Sequence, residues 1–566
     1  MTKMTGARFL AETLAGYGIT HNFMVPAVMR RTLAEMERHT GIVSIHTHGE
    51  QSAAYMADGY ARAARRPGLC MAQQVGALNL ASGLRDAWLG HSPVIAFTGG
   101  PPRLEKCRVL HQDADDIRAF EPYTKWNASV NDVARFPDMV RQAFREATTG
   151  CPGPVHLQIE GQEGELDRSE GDFTIRAERD FAAVPPFRPA PEARRVKDAI
   201  ARIRRAERPV IVAGGGVRWS DAGAELRLFA EAMRIPVATS MNGKDSIPGN
   251  HPLAVGVPGT YSRKSANRII AEADLVVFIG SDTGSMTTNF WRLPPPSTAV
   301  IQIDINAPSL GRNYPLETAI LADAKTALAH LLEAAKEEAP MRRNAWLERV
   351  QTICREWREE FEPLLESDGV PIRPERICAE LTRLLPDNAI LAVDTGHAAM
   401  WMGGMFDLTS TRQSYIRCMG HLGWAFPAGL GAKCAWPERP VIAFTGDLGF
   451  WYNIAEIETA VRWRINSVTV VNNNHSGNQS KRGFSLAYEG EPTERSRELW
   501  VHNKVNFAAI AESVGALGIR VERPGEFEAA FLRALASDRP AIIDVATDIE
   551  AMAPLAWDEA AWVQRY

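Results

Sequence analysis

Two oxygen-bearing side chains, Asp447 and Asn474, stand at the ends of two apolar runs within residues 441–476. The run VIAFTG (441–446) reads as a short buried strand, and SVTVVN (467–472) as a second one. Between them, IAEIETAVRWR (454–464) repeats its apolar positions at helical spacing, which predicts one connecting helix. A right-handed crossover of this kind brings both strand ends to the same edge of a parallel sheet, where neighbouring strands lie about 4.8 Å apart. The two side chains can then share one ion. A carboxylate and an amide oxygen, without sulfur or imidazole, suit Mg²⁺ or Ca²⁺ rather than zinc. Mg²⁺ often completes its shell with phosphate oxygens, and Gly446 and Gly449 leave backbone room beside the acid. The pattern predicts a metal–diphosphate site, although an Asp and an Asn in these places would also serve as helix or turn caps.

Gly446-Asp447, followed by an Asn-Asn run whose last member lies 27 positions after the acid, resembles the diphosphate motif of thiamine diphosphate enzymes. The resemblance implies that Asp447, Asn474 and the main-chain carbonyl of Ser476 bind Mg²⁺. It implies also that Gly446, Leu448, Gly449 and Gly477 border the cofactor's diphosphate. Leu448 is a departure, because the family has glycine there; Gly449 follows one step later.

Three further segments match in order. His48-Gly49-Glu50-Gln51, continued by SAAYMADGYAR, is similar to the acetolactate-synthase-like branch, in which the glutamate activates the cofactor through its aminopyrimidine ring. On its residues alone, Glu50 also reads as an acid opening a helix, where its charge favours the N-terminal dipole. SYIRCMGHLGWAFPAGLGAK (414–433) resembles the stretch beneath the cofactor. There Gly420 would offer its carbonyl to the pyrimidine amino group. Leu422 would be the apolar wedge that bends the cofactor, a catalytic contribution through proximity. DTGHAAMW (394–401) resembles the loop whose backbone N–H groups at Gly396, His397 and Ala398 receive the diphosphate.

Alternating helical and strand patterns must position these residues. In the first part, helices are expected at 6–18, 28–38, 51–63 and 77–89, with strands at 21–25, 41–45, 67–73, 92–99 and 153–159. The proline-rich AAVPPFRPAPEA (182–193) marks a boundary. A second α/β unit carries strands at 209–215, 274–280 and 299–305 and closes at the charged KEEAPMRR (336–343). The fold class expected is α/β, with three doubly wound parallel-sheet domains. These are a pyrimidine-binding domain (1–183), a central domain (184–345) and a diphosphate-binding domain (346–566). The central GGGV (214–217) lacks a dinucleotide fingerprint, since Trp219 stands where a third glycine is needed. The resemblance leaves room for FAD or ADP there. A flavin is not predicted, because SDTGSMTTNFW (281–291) departs from the Arg- and Asp-bearing stretch of the FAD-binding members.

Composition narrows the class. The chain has 566 residues, enough for three to four domains at roughly 150 residues each. A net charge of −5, with no basic stripe, argues against nucleic acid. The seven cysteines are scattered without a CxxC pair and read as reduced thiols of a cytoplasmic protein. No apolar run approaches the ~18 residues of a membrane span, and the first residues read as an amphipathic helix rather than a signal peptide.

Gln112 aligns with an active-site glutamine of the branch and would hydrogen-bond the substrate carbonyl; an exposed polar loop is the plainer reading. Gln74, at a strand end where the relatives often have a Gly-Pro-Gly run, would add a polar group near the thiazolium. His46 and His48 lack a third ligand and read as pocket or interface histidines, while His421 and His475 adjoin cofactor positions. The segment TERSRELW (493–500) reads as a solvated helix or part of a lid. The expected activity makes or breaks a C–C bond next to a carbonyl, foremost as 2-oxo acid decarboxylation with carboligation. Residues 475–481 depart from the Gln-Gly-Met and Trp pattern of acetolactate synthases proper. Acyloin cleavage of the benzaldehyde lyase type and a non-catalytic paralogue therefore stand as alternatives. Substrates would be a 2-oxo acid, an aldehyde or an acyloin. The resemblance implies a homodimer or homotetramer with active sites at the subunit interface.

Overall fold

Aliphatic and β-branched runs, bounded by Gly, Pro or Asp, form the inner strands of parallel sheets, whose two faces are covered by helices. The structure, a computed structural model, describes residues 1–114, 116–336 and 341–554. Asp115 of the 111–116 loop, residues 337–340 of the charged boundary and the tail from 555 lie outside the described residues. Among those described there are three six-stranded sheets, in which every pairing is parallel. The three-domain α/β architecture expected from the sequence is the one observed.

The first sheet runs Val43–His46, His21–Met24, Gly68–Ala72, Val94–Gly100, Val155–Glu160, Trp126–Val130. The last runs Ser414–Arg417, Ile390–Val393, Val441–Gly446, Val468–Asn473, Ala541–Ala546, Leu517–Val521. In order of sequence, both read second, first, third, fourth, sixth, fifth. The central sheet differs. It runs Ala254–Gly256, Val237–Thr239, Pro209–Ala213, Leu275–Ile279, Ala299–Asp304, Thr318–Leu321, third to first and then fourth to sixth. Open sheets of this kind bind ligands beyond the carboxyl ends of the strands where the order reverses. In the last sheet that point lies between Val393 and Gly446, beside Asp394 and Asp447.

The first and last domains meet through two helices, Glu50–Ala64 and Ala425–Ala435. Glycines allow their backbones to touch. A Cβ on Gly59 would fall 2.0 Å from the carbonyl oxygen of Ala428, and one on Gly431 would fall 1.9 Å from that of Met56. Helix Asn344–Leu365 spans two cores, with Trp346, Val350 and Ile353 against the central sheet and Trp357 in the core of the last domain.

The connection between Asp447 and Asn474 corrects the expectation of one helix over 454–464. A helix starts at Asp447 itself (Asp447–Tyr452), and a second follows at Glu456–Arg462. Asn453 breaks the path, with φ −133°. Its side chain is committed elsewhere, donating to the Gly423 carbonyl at 2.8 Å and accepting from Ser52 Oγ at 2.7 Å. Tertiary hydrogen bonds here override local periodicity.

Candidate active site

The metal-ligand candidates come together at one loop. Gly446 is extended and caps a helix whose first residue is Asp447, where an acid complements the N-terminal dipole. Asp447 is 2% exposed. Its Oδ1 accepts from Leu448 N at 2.7 Å and its Oδ2 from Ser476 N at 3.0 Å. Asn474 Oδ1 accepts from Ser476 Oγ at 2.7 Å. Between them, His475 adopts a left-handed backbone (φ +60°), which turns the chain after the strand Val468–Asn473. Leu448 lies against the same loop, since a Cβ on Gly477 would meet its Cδ2 at 3.1 Å.

Residues 500–502 latch this loop. Gly477 N donates to the Trp500 carbonyl at 2.6 Å, Ser476 pairs with Val501, and His502 N donates to the His475 carbonyl at 2.9 Å. The segment 493–500 read as a solvated helix or lid is a 3₁₀ turn (Glu494–Leu499) leading into that latch. Sequence reasoning missed His502, whose Nε2 lies 3.8 Å from Asp447 Oδ2. No motif marks it, and it reaches the site only because the latch folds back. Burial pushes Asp447 up to about 6, against the pull of the His502 charge and the N–H groups of Leu448, Ser476 and His475. A buried carboxylate partnered mainly by backbone, beside amide and hydroxyl oxygens, fits a hard divalent cation.

The diphosphate candidates lie across the switch point. Asp394 follows the strand Ile390–Val393 and is fully enclosed, accepting from Thr395 N (2.8 Å), Gly423 N (3.1 Å), Ala425 N (3.3 Å) and Thr445 Oγ1 (2.9 Å). These bonds join the three segments that the resemblance assigns to the cofactor. Burial nonetheless pushes Asp394 up to about 6. Gly396 (φ +67°) caps the helix His397–Gly404, and a Cβ there would fall 2.9 Å from Gln479 Oε1. Ala398 is buried in the first turn. Burial, aided by the Arg482 charge, lowers His397 to about 4, so its ring is neutral near pH 7. His397 Nδ1 is buried without a partner, while no atom stands within 4 Å of where a Cβ on Gly446 or Gly420 would be. Open space before glycine backbone, an unpaired ring nitrogen and a helix N-terminus fit a diphosphate.

Gly420 and Leu422 are held from the first domain. Met419 N donates to Asp86 Oδ1 at 2.8 Å, and Tyr55 OH and His421 Nδ1 share a hydrogen bond of 2.8 Å. Asp86 belongs to a buried charge cluster. Arg62, 4% exposed, reaches Asp58 at 2.7 Å, Asp86 at 3.1 Å and the Arg417 carbonyl at 2.6 Å; Trp424 Nε1 donates to Asp58 at 2.9 Å. Burial pushes Asp86 up, and Arg62 pulls it back. Leu422 is half-buried.

Glu50 opens its helix half-buried, and Asn79 Nδ2 donates to its Oε2 at 3.2 Å. A Cβ on Gly76 would fall 2.4 Å from Glu50 Oε1, so only glycine leaves the carboxylate its place. Gln112, with φ +66°, accepts from Gln73 Nε2 at 3.1 Å. Gln74 is 1% exposed, and both polar atoms of its side chain are without a partner. Among the described residues no hydrogen bond links Glu50 or Gln112 to the metal loop of the same chain. His48 pairs with Glu458 at 2.7 Å across the domain junction. No set of three His, Cys, Asp or Glu side chains among the described residues is arranged to hold a metal. At the reversal of the central sheet lies a cavity of about 410 Å³, walled by Gly214–Gly216, Ser281, Asp282 and the facing surface of the first domain. No described helix is long and apolar enough to cross a membrane, and all seven cysteines are unpaired.

Comparison with known proteins agrees with this geometry. Family profiles of the thiamine pyrophosphate enzymes match three stretches: the N-terminal TPP binding domain at 4–119, the central domain at 196–331 and the C-terminal TPP binding domain at 394–545. A probable acetolactate synthase large subunit of Methanocaldococcus jannaschii is 33% identical, the alignment covering 96% of this chain and 92% of the relative. The glyoxylate carboligase of Escherichia coli O157:H7 is 30% identical over 95% and 91%. The acetolactate synthase large subunit of Lactococcus lactis is 28% identical over 96% and 92%.

Proposed function

The chain belongs to the thiamine pyrophosphate enzyme family, and from that premise we propose that it is a Mg²⁺-dependent carboligase. It would decarboxylate a 2-oxo acid and join the remaining carbon unit to a second carbonyl compound. The observation that carries the reading is the Asp447–Ser476–Asn474 cluster at the switch point of the last sheet. The names of the relatives, acetolactate synthase and glyoxylate carboligase, support carboligation and differ in the acid they name.

Bound thiamine diphosphate supplies an electron sink for a C–C bond that forms or breaks beside a carbonyl. The protein's part is placement and proton handling. Asp447, Asn474 and the Ser476 carbonyl would hold Mg²⁺, with Gly446, Leu448, Gly449 and Gly477 around them. Gly396, His397 and Ala398 would receive the diphosphate on N–H groups and a neutral imidazole. Glu50 would hold and return a proton at its carboxylate, in the place Gly76 leaves for it. Leu422 would act as an apolar wedge and Gly420 as a hydrogen-bond acceptor. Gln112, steadied by Gln73, would orient a substrate carbonyl. Intact Glu50, Asp447 and Asn474 speak against a non-catalytic paralogue. The active unit would be a cytoplasmic homodimer or homotetramer, with the boundaries 183/184 and 345/346 separating its domains. An active monomer in sedimentation would contradict the assembly.

Residues 475–481 favour a second reading, acyloin cleavage, because the loop after the metal site departs from the acetolactate synthase pattern and carries the unpaired, buried His475 Nδ1. The deciding experiment measures CO₂ and product from pyruvate, glyoxylate and larger 2-oxo acids, with and without thiamine diphosphate and Mg²⁺. Cofactor-dependent CO₂ with a new C–C product supports carboligation. Silence across the panel, with aldehyde released from an acyloin, replaces it by the second reading.

A further inference from the structure

One side chain of the first domain is planted in the core of the last. Tyr55 follows Glu50 on the helix Glu50–Ala64 and is fully enclosed. It shares a buried cluster with Ile390, Ala392, Ile416, Trp424 and Ala428 of the last domain. That packing fixes where its hydroxyl points, and the hydroxyl meets His421 Nδ1 at 2.8 Å. The two rings stand edge to face, with 77° between their planes. His421 lies between Gly420 and Leu422, the residues proposed to accept a hydrogen bond from the cofactor and to bend it.

The segment is anchored on both sides of this contact. Before it, Met419 N donates to Asp86 Oδ1 at 2.8 Å, and Gly420 N donates to Cys418 Sγ at 3.2 Å. The Cys418 thiol in turn donates to the His421 carbonyl at 2.7 Å. After it, Gly423 N donates to Asp394 Oδ1 at 3.1 Å and Trp424 Nε1 to Asp58 Oδ2 at 2.9 Å. Between these anchors the chain is more open, with Gly420 exposed and His421 and Leu422 half-buried. The bond from Tyr55 to His421 holds the middle of that stretch. Burial raises the Tyr55 phenol and lowers the His421 imidazole, so both rings are neutral near pH 7.

We infer that Tyr55 is a positioning residue, whose hydroxyl acts through the His421 ring to hold the Gly420 carbonyl and the Leu422 side chain in register with bound thiamine diphosphate. This role rests on those proposed above for Gly420 and Leu422. Without the hydroxyl, the imidazole loses its partner, and the stretch 420–422 can turn while its anchors stay. A misplacement near 1 Å costs about 10² in rate, so a partial turn of the segment should cost about tenfold.

The test follows exchange of the thiazolium carbon hydrogen of bound thiamine diphosphate in deuterium oxide, using the full chain with Mg²⁺ present. Tyr55→Phe keeps the ring in its core. It should hold cofactor affinity within a few-fold of wild type and slow exchange about tenfold. Tyr60→Phe is the control on the same helix, because the Tyr60 hydroxyl bonds Thr20 Oγ1 at 2.7 Å inside the first domain. It should leave exchange unchanged. His421→Ala should slow exchange as Tyr55→Phe does, and the double variant should be no slower than either single one, since the effect passes through one pair. Unchanged exchange in Tyr55→Phe, equal slowing in Tyr60→Phe, or additive losses in the double variant would each overturn the role. So would an unfolding temperature below that of Tyr60→Phe together with lost cofactor binding, which would make Tyr55 a structural residue only. If His421→Ala does not fold, the two tyrosine variants decide. A wild type that binds the cofactor without speeding exchange over the free compound would overturn the proposed function itself, and this role with it.

Discussion

Ser476 donates its main-chain N–H to Oδ2 of Asp447 at 3.0 Å, which ties together two residues that follow different strands of the last sheet. The same residue donates its hydroxyl to Asn474 Oδ1. One serine therefore aligns the acid and the amide on a common point and leaves its own carbonyl as a third oxygen.

Glu50→Gln should keep cofactor binding and lose turnover. The amide preserves the shape that Gly76 accommodates and the contact with Asn79, but it cannot carry a proton. Loss of general acid–base action of this kind is worth about 10²–10⁴ in rate. Equilibrium binding of thiamine diphosphate beside kcat checks it. Undiminished kcat would remove Glu50 from the proposed mechanism.

Leu422→Ala should also leave cofactor affinity within a few-fold while lowering kcat. Its proposed role is placement, and a misplacement near 1 Å costs about 10² in rate. A change confined to KM would contradict that role.

Arg62→Ala should be among the most damaging single changes to the domain junction. It strands Asp58 and Asp86, both fully enclosed, and breaking a buried charge cluster costs about 3–5 kcal/mol. The exposed pair Lys264–Glu360 is the control, where loss of one partner should cost under about 1 kcal/mol. Thermal unfolding of Arg62→Ala and Lys264→Ala, measured side by side, compares them.

The His91–Asp282 pair gives stability a pH signature. His91 is held up to about 10 against an ordinary 6.5, so its contribution is fully present below pH 6.5 and is lost as pH rises through about 10. Asp282, drawn down to about 2 chiefly by its hydrogen bond to His91, keeps its charge throughout that window. Wild type should therefore lose Tm between pH 6.5 and 10 relative to His91→Gln. The difference should shrink in high salt, since both side chains are more than a third exposed.

The strands that end at Asp447 and Asn474 were legible because uninterrupted aliphatic runs between turn residues have few alternatives to an inner parallel strand. Glu50, Gly420 and Leu422 were legible only through resemblance, since an acid at a helix start and a leucine after glycine have ordinary explanations. The break at Asn453 was not legible, because the bonds to Gly423 and Ser52 that cause it join positions far apart in sequence. The Arg62 cluster was hidden for a related reason. Asp58 and Arg62 look like a solvated i,i+4 pair until the helix Ala425–Ala435 and Asp86 close over them. Strand Trp126–Val130 was not legible because it is only five residues long and its apolar positions are interrupted by Asn127 and Ser129. The approach of His502 to Asp447 and the His91–Asp282 pair exist only once the chain has folded.

The most direct test of the central claim is a titration of thiamine diphosphate into cofactor-stripped protein, with and without Mg²⁺, for wild type and Asp447→Asn. Wild type should bind the cofactor only when Mg²⁺ is present, and the variant should bind it more weakly by about 100-fold or more, on the order of 2.7 kcal/mol. Binding that ignores Mg²⁺, or equal affinity in the two proteins, would contradict the assignment of Asp447, Asn474 and Ser476 as the metal–diphosphate site.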